Sequence, residues 1–304
     1  MKLAVIDLGT NTCNLLIAEG DQQNYSILYQ GKEGVKLGKG GINKKILTPE
    51  AFQRAAEALK KHKKTIVDYQ VSQVTTIATS AVRDAANKAE FAAYLLNETG
   101  LELTIISGEE EAALIFKGVK LAFGNIPDQT LILDIGGGSN EFILTQDNDM
   151  LWKKSFPMGM SRVIEQFPVS DPVTKKEMKA IESYFRNGLS DLQIRLREIQ
   201  IDRLVGCSGA FDTLADLIDR TAPGSKQRIT QDINRSVFEQ ICDKIIQSTA
   251  TQREKMTGMD PLRVEMIVPS FIFIQFILKS FNIKKITQTG FSLREGVLQE
   301  WINR

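Results

Sequence analysis

Residues 5–17, VIDLGTNTCNLLI, and residues 132–144, ILDIGGGSNEFIL, share one pattern. Each is an apolar run ending in Asp, an apolar residue, a glycine, a short stretch of small residues, and a second apolar run. Aligned, Asp7 falls on Asp134, Gly9 on Gly136 and Thr12 on Ser139. Both read as β-hairpins whose turns are too small in side chain to be mere spacers. The segments that follow run in parallel too. After the first hairpin come a strand near 25–31, a helix 49–70, strands 74–80 and 101–107 around a helix 84–98, and a glutamate-headed helix. After the second come a strand 150–157, helices across 160–199, a strand 203–208, helices through 212–281, a strand 284–289 and a closing helix. Strands alternating with helices predict an α/β fold with mixed, helix-covered sheets. A repeat spanning about half the chain predicts two like-folded domains, not a solenoid. Gly, Asn, Pro and Asp cluster in FGNIPDQT (123–130), which puts the boundary between domains 1–124 and 125–304. The closing helix, about 291–303, is free to pack back on the first domain.

Composition narrows the function. Thirty-eight Lys and Arg against 37 Asp and Glu leave a net charge of +1, which excludes a general nucleic-acid binder. The most apolar run, MIVPSFIFIQFIL (266–278), is too short to span a bilayer and reads as a buried core helix. The N-terminus opens straight into a strand without a signal-peptide pattern, and three widely spaced cysteines suit neither a disulfide framework nor a zinc site. A cytoplasmic protein with no membrane partner is expected. The one histidine, His62, sits in the lysine run KKHKK (60–64) and reads as part of a solvated helix face. Any chemistry therefore runs without a catalytic histidine.

The turns supply candidates. In DIGGGSNE (134–141), three consecutive glycines allow close backbone approach and aim successive amides at one place, a nest for an anion such as phosphate. An acid at the strand end just before such a turn is well placed to hold Mg²⁺ beside that phosphate. Two related turns, Gly9–Thr12 and Gly136–Ser139, strengthen the phosphate reading over a plain hairpin. In SGEEEAALIFKG (107–118), Ser107 and Glu110 form a capping box and Glu109 gains from the helix dipole. Glu111 instead heads the stripe Ile115, Gly118, Ala122 and points the way the apolar residues point. A carboxylate there needs a partner or a cleft; a structural salt bridge is the alternative. With no histidine available, Glu111 is the leading candidate for general base. ATSAVRDAAN (78–87) supplies Arg83, opening a helix where Ser80 and helix amides can also meet an anion. GCSGAFDTLAD (206–216) repeats the strand–Gly–helix pattern, and Arg294 in SLREGVL either reaches the cleft or lies on a closing helix.

DLGTNT, ATSAVRDAAN, SGEEEA, DIGGGSNE and SLREGVL, in this order and spacing, resemble the exopolyphosphatase / guanosine pentaphosphate phosphohydrolase family over essentially the whole chain. That family belongs to the actin-like ATPase and sugar kinase superfamily. The resemblance implies duplicated ribonuclease-H-like domains and Mg²⁺-assisted hydrolysis of the terminal phosphate of inorganic polyphosphate in an interdomain cleft, with Mn²⁺ as an alternative metal. By motif position it implies that Glu111 is the catalytic base. Asp7, Asp134 and Glu141 match acids around metal and phosphate. Gly136, Gly137, Gly138 and Ser139 match the phosphate loop, with Gly9, Thr10, Asn11 and Thr12 its counterpart, and Arg83 the phosphate-binding arginine. Asn140, Ala113, Cys207 and Ala210 depart from residues usual in the family (Thr, Arg and two threonines). Longer members carry further C-terminal domains that grip long polymers, so a chain ending at Arg304 is expected to be less processive. The rival readings are a guanosine pentaphosphate 5′-phosphohydrolase, a sugar kinase, and a non-catalytic alarmone or polyphosphate sensor; a homodimer is left open.

Overall fold

The two repeated segments fold as hairpins in the same register. In the first, Asp7 pairs with Asn14; in the second, Asp134 pairs with Glu141. Each turn is closed by the glycine after the acid, Gly9 N–H to Thr12 O at 2.9 Å and Gly136 N–H to Ser139 O at 3.0 Å. The computed structural model describes residues 1–21, 24–126 and 129–303. The predicted boundary stretch 123–130 includes Pro127 and Asp128, which lie outside the described residues.

The first half runs β1 (Lys2–Leu8), β2 (Thr12–Gly20), β3 (Tyr25–Gly34), α1 (Pro49–Asp68), β4 (Gln73–Ala78), α2 (Ser80–Arg83), α3 (Lys88–Thr99), β5 (Thr104–Ile105) and α4 (Gly108–Phe123). The second runs β6 (Thr130–Ile135), β7 (Asn140–Gln146), β8 (Asp149–Phe156), α5 (Met160–Gln166), α6 (Lys175–Gly188), α7 (Ser190–Leu196), β9 (Arg203–Cys207) and α8 (Gly209–Asp219). It continues through β10 (Thr230–Ile233), α9 (Arg235–Ile246), α10 (Ala250–Glu254), α11 (Ile267–Ser280), β11 (Lys285–Thr289) and α12 (Leu293–Ile302).

One sheet has the order β3-β2-β1-β4-β5 and the other β10-β11-β9-β6-β7-β8. In both, an antiparallel three-strand meander is extended by parallel strands beside its first strand. Superposing the orders matches β8-β7-β6-β9-β11 to β3-β2-β1-β4-β5 and leaves β10 as an added antiparallel edge. The α/β class and mixed sheets expected from the strand–helix alternation, and the duplicated ribonuclease-H-like plan implied by the family resemblance, are therefore present.

Among the described residues, three apolar clusters hold this together. One lies under α1 and α3 in the first half, and one surrounds α11 in the second, where the 266–278 run is buried as predicted. The third packs between the sheets, with Leu3, Val5 and Leu16 from one and Ile132, Ile143 and Val205 from the other, bridged by Ala112 and Ile115 of α4 and Leu293 and Leu298 of α12. Helices α4 and α12 cross through two glycines. A Cβ on Gly118 would sit 2.0 Å from Ser292 O, and one on Gly296 would sit 1.9 Å from Leu114 O. Only backbones without side chains pass this closely.

Four local expectations are corrected. His62 is 3% exposed, not solvated: it lies four residues from both Ala58 and Ile66 on the apolar face of α1, and its Nε2 is 3.0 Å from Cys13 O. Helix periodicity outweighs the flanking lysines. Arg83 ends a helix and does not open one, because Thr79 O accepts the Val82 and Arg83 amides in a single tight turn, and α3 begins only at Lys88. The strand expected at 101–107 shrinks to Thr104–Ile105 at the sheet edge. Within 212–281, read as helical throughout, Thr230–Ile233 is a short strand paired with β11.

Candidate active site

The two glycine turns face each other between the halves. A Cβ at Gly137 would meet Asn11 Nδ2 at 2.2 Å, and one at Gly138 would meet Ser80 Oγ at 2.5 Å and Thr10 Oγ1 at 2.7 Å. The turn carbonyls are tied back. Asn11 O accepts from Val35 and Lys36 amides, while Gly136, Gly137 and Gly138 carbonyls accept from Met160, Ser161 and Gly159. Among the described residues, the Thr10, Asn11, Gly137 and Gly138 amides donate to no protein acceptor. Free amides with anchored carbonyls are the condition for an anion nest. Ser80 adds a further vacant donor, since its Oγ is buried without a hydrogen-bond partner.

These turns line a cleft enclosing a cavity of ≈ 140 Å³. Of the residues proposed from sequence, Asp7, Gly9, Thr10, Asn11, Thr12, Glu111, Asp134, Gly136, Gly137, Gly138, Ser139 and Glu141 all line it. Arg83 is not on the wall but bonds two residues that are. Its Nη1 donates to Glu111 Oε2 at 2.7 Å, and its Nη2 donates to Ser139 Oγ at 3.4 Å.

Glu111 reaches this place because Ser107 starts α4. The Ser107 hydroxyl accepts from the Glu110 amide, and Glu110 returns to the Ser107 amide at 2.7 Å. With the helix start fixed, Glu110 stays outside and Glu111, one residue on, turns inward to 8% exposure. Burial, then the charge of Glu141, lifts the Glu111 carboxyl well above its usual range, against the pull of Arg83. Burial also raises Asp7 to about 6, Glu141 to about 7, and Asp134 in the same direction.

Asp134 is held by serines. Ser208 Oγ and Ser292 Oγ both donate to its Oδ2 at 2.6 Å, so the GCSGA loop and the SLREGVL segment converge on one acid. Glu141 accepts from Ser155 at 2.7 Å and Asp7 from Asn14 at 3.3 Å. Arg294 lines the cleft and also points its Nη1 at Leu15 O. Sequence reasoning did not single out Ser208, Ser292, Lys32, Asp212 or Arg263, all on the cleft wall. Ser208 and Asp212 lay inside GCSGAFDTLAD and Ser292 inside SLREGVL, motifs already noticed; an isolated lysine or arginine elsewhere carries no local pattern.

Hard oxygen donors crowded in a low-dielectric cleft fit a divalent cation. Among the described residues, no three carboxylate, thiol or imidazole groups cluster closely enough to hold one unaided. Mg²⁺ takes one or two carboxylates and completes its shell with water and substrate phosphate.

Two similar halves with facing glycine turns define an actin-like fold with a cleft between them. The model of the Ppx/GppA phosphatase family matches residues 16–304, and the chain belongs to that family. A crystal structure of an exopolyphosphatase from Cytophaga hutchinsonii is 34% identical, with a TM-score of 0.94 over 100% of this chain and 98% of that one. The Aquifex aeolicus PPX-GPPA enzyme is 26% identical, with a TM-score of 0.81 over 99% of each chain. Exopolyphosphatase 1 of Mycobacterium tuberculosis is 25% identical over 98% of this chain and 87% of its own length. A bifunctional 3-dehydroquinate synthase/phosphatase of Fusobacterium nucleatum is 31% identical over 92% of this chain, which spans only 43% of that protein. The enzyme class is that of a phosphoanhydride hydrolase. No helix among the described residues is long and apolar enough to cross a membrane.

Proposed function

We propose that the chain is an exopolyphosphatase that removes the terminal phosphate of inorganic polyphosphate by direct attack of water. The observation that carries this reading is the inward carboxylate of Glu111, held by Arg83 on the cleft wall that also carries both glycine turns. In the proposed step, Glu111 takes a proton from water as the water oxygen bonds to phosphorus. The bridging P–O bond breaks, and the shortened chain leaves with the bridging oxygen and its negative charge. The Gly137, Gly138, Thr10 and Asn11 amides and the Ser80 hydroxyl hold the terminal phosphoryl oxygens, and Arg83 meets the spreading charge. One or two of the acids Asp7, Asp134 and Glu141 would hold Mg²⁺ together with water and substrate phosphate, and the ion would neutralise charge on the phosphates. We divide the chain at 124/125 into two closing domains and assign it to the cytoplasm, where its three buried free cysteines would stay reduced.

Guanosine pentaphosphate is the second reading, and one observation favours it. A neighbouring cavity of ≈ 560 Å³ shares Lys32, Gly209, Asp212, Gly290 and Arg294 with the phosphate cleft, leaving room for a nucleoside beyond the phosphates. Phosphate release from polyphosphate of several lengths and from guanosine pentaphosphate, each with and without Mg²⁺, separates the two. Faster release from polyphosphate supports the proposal; release from the nucleotide alone overturns it.

A further inference from the structure

We propose that Arg162 is a positioning residue that ties closure of the two halves to the orientation of the Arg83–Glu111 pair. This rests on the hydrolytic reading above. Arg162 belongs to α5 in the second half and is 7% exposed. Its guanidinium makes three bonds in three directions. Nε donates to Gly138 O in the second glycine turn at 2.8 Å, Nη1 to Ile42 O in a loop of the first half at 3.0 Å, and Nη2 to Asp84 Oδ2 at 2.5 Å.

Asp84 is the link onward. Its other oxygen, Oδ1, lies 3.8 Å from Arg83 Nε, and Arg83 in turn grips Glu111. One continuous set of contacts therefore runs from the phosphate turn through Arg162 and Asp84 to Arg83 and the carboxylate. Asn43 closes the same seam, its Nδ2 donating to Arg162 O and its amide to Glu165 Oε2, both at 3.3 Å. The start of α5 is fastened to the turn by the Gly159, Met160 and Ser161 amides.

A buried guanidinium is costly unless its donors are satisfied, and here the partners come from both halves. The three bonds exist together only when the halves are closed. Opening the cleft would free Asp84 to draw Arg83 differently and would loosen the turn at Gly138. A lysine preserves the charge but cannot reproduce a planar fork with three acceptors.

The test compares wild type, Arg162→Lys, Arg162→Met, Asp84→Asn and the Arg162→Met/Asp84→Asn double variant. Polyphosphate hydrolysis with Mg²⁺ is measured alongside hydrogen exchange of the whole chain. A misaligned pair should lower kcat roughly 10- to 100-fold with KM changed less than about threefold. The double variant should be no slower than the worse single variant, because both break one connection. Amides 159–161 and 38–46 should exchange faster in Arg162→Met while the strands beneath stay protected. Wild-type kcat in Arg162→Lys and Arg162→Met, or losses that multiply in the double variant, would overturn the proposal. Asp84 is partly exposed, so Asp84→Asn carries the test even where an Arg162 variant does not fold. Were the wild type to release no phosphate, the hydrolytic reading would fail by itself. Exchange would then decide the coupling, unchanged protection at both segments refuting it.

Discussion

Gly296→Ala places one methyl where α4 and α12 have no room for it. The new Cβ would lie 1.9 Å from Leu114 O and 2.6 Å from Leu114 C, whereas ordinary contact begins at 3.4 Å. Relief requires the helices to separate by roughly the 1.5 Å difference, since both colliding groups are backbone. Ser292, the residue before α12, donates to Asp134 across 2.6 Å, and a shift of that size takes it out of hydrogen-bond reach. Overpacking costs about 1–3 kcal/mol and the lost bond to a charged acceptor about 1.5–3 kcal/mol. The two overlap, so about 2–4 kcal/mol is expected in total, which lowers Tm by roughly 3–6 °C in a chain this long. Turnover should fall too, by roughly 10- to 100-fold, because Glu111 lies two turns from Gly118 on the same face of α4. Circular-dichroism melting and Mg²⁺-dependent phosphate release read both effects. A Tm within a degree of wild type with full turnover would show that the crossing does not position the site.

Gly138→Ala adds a methyl 2.5 Å from Ser80 Oγ and 2.7 Å from Thr10 Oγ1, both on short buried side chains with little freedom to yield. We expect kcat/KM to fall at least about tenfold, with unchanged kinetics counting against the turn as a phosphate seat. Stability should depend on pH and Mg²⁺ together. Asp7 at about 6 and Glu141 at about 7 stay protonated in the fold over a range where the unfolded chain, with ordinary carboxyls, has lost those protons. Their contribution is therefore full below about pH 4 and is lost as pH rises to about 7 without divalent cation. Mg²⁺ binds the ionised forms, so its stabilisation should be larger at pH 8 than at pH 5. Melting curves at both values test this, and an equal Mg²⁺ effect at the two would contradict it.

Much of the fold was legible because duplication is a pattern in the chain itself. Asp7 and Asp134 open segments of the same apolar–Gly–small–apolar pattern, and the same register emerged in both hairpins. Glu111 could be separated from Glu109 and Glu110 because a capping box sets helix phase, and phase alone sends one of three adjacent acids inward. His62 was misread by weighting its charged neighbours over the apolar residues one turn away. Ser208 and Ser292 lay inside motifs that were noticed, but their shared partner could not be read, and Arg162 stood in no motif. Each acts through partners 74 to 158 residues distant in sequence (Asp134 for the two serines, Asp84 and Ile42 for the arginine), and no local spacing encodes such a meeting.

The most direct test of the central claim is phosphate release by Glu111→Gln, which keeps the shape and hydrogen-bonding reach of the side chain but removes its basicity. With the fold confirmed by an unchanged melting curve, turnover on polyphosphate with Mg²⁺ should drop by roughly two to four orders of magnitude. Turnover equal to wild type in that variant would remove Glu111 from the reaction and with it the hydrolytic account.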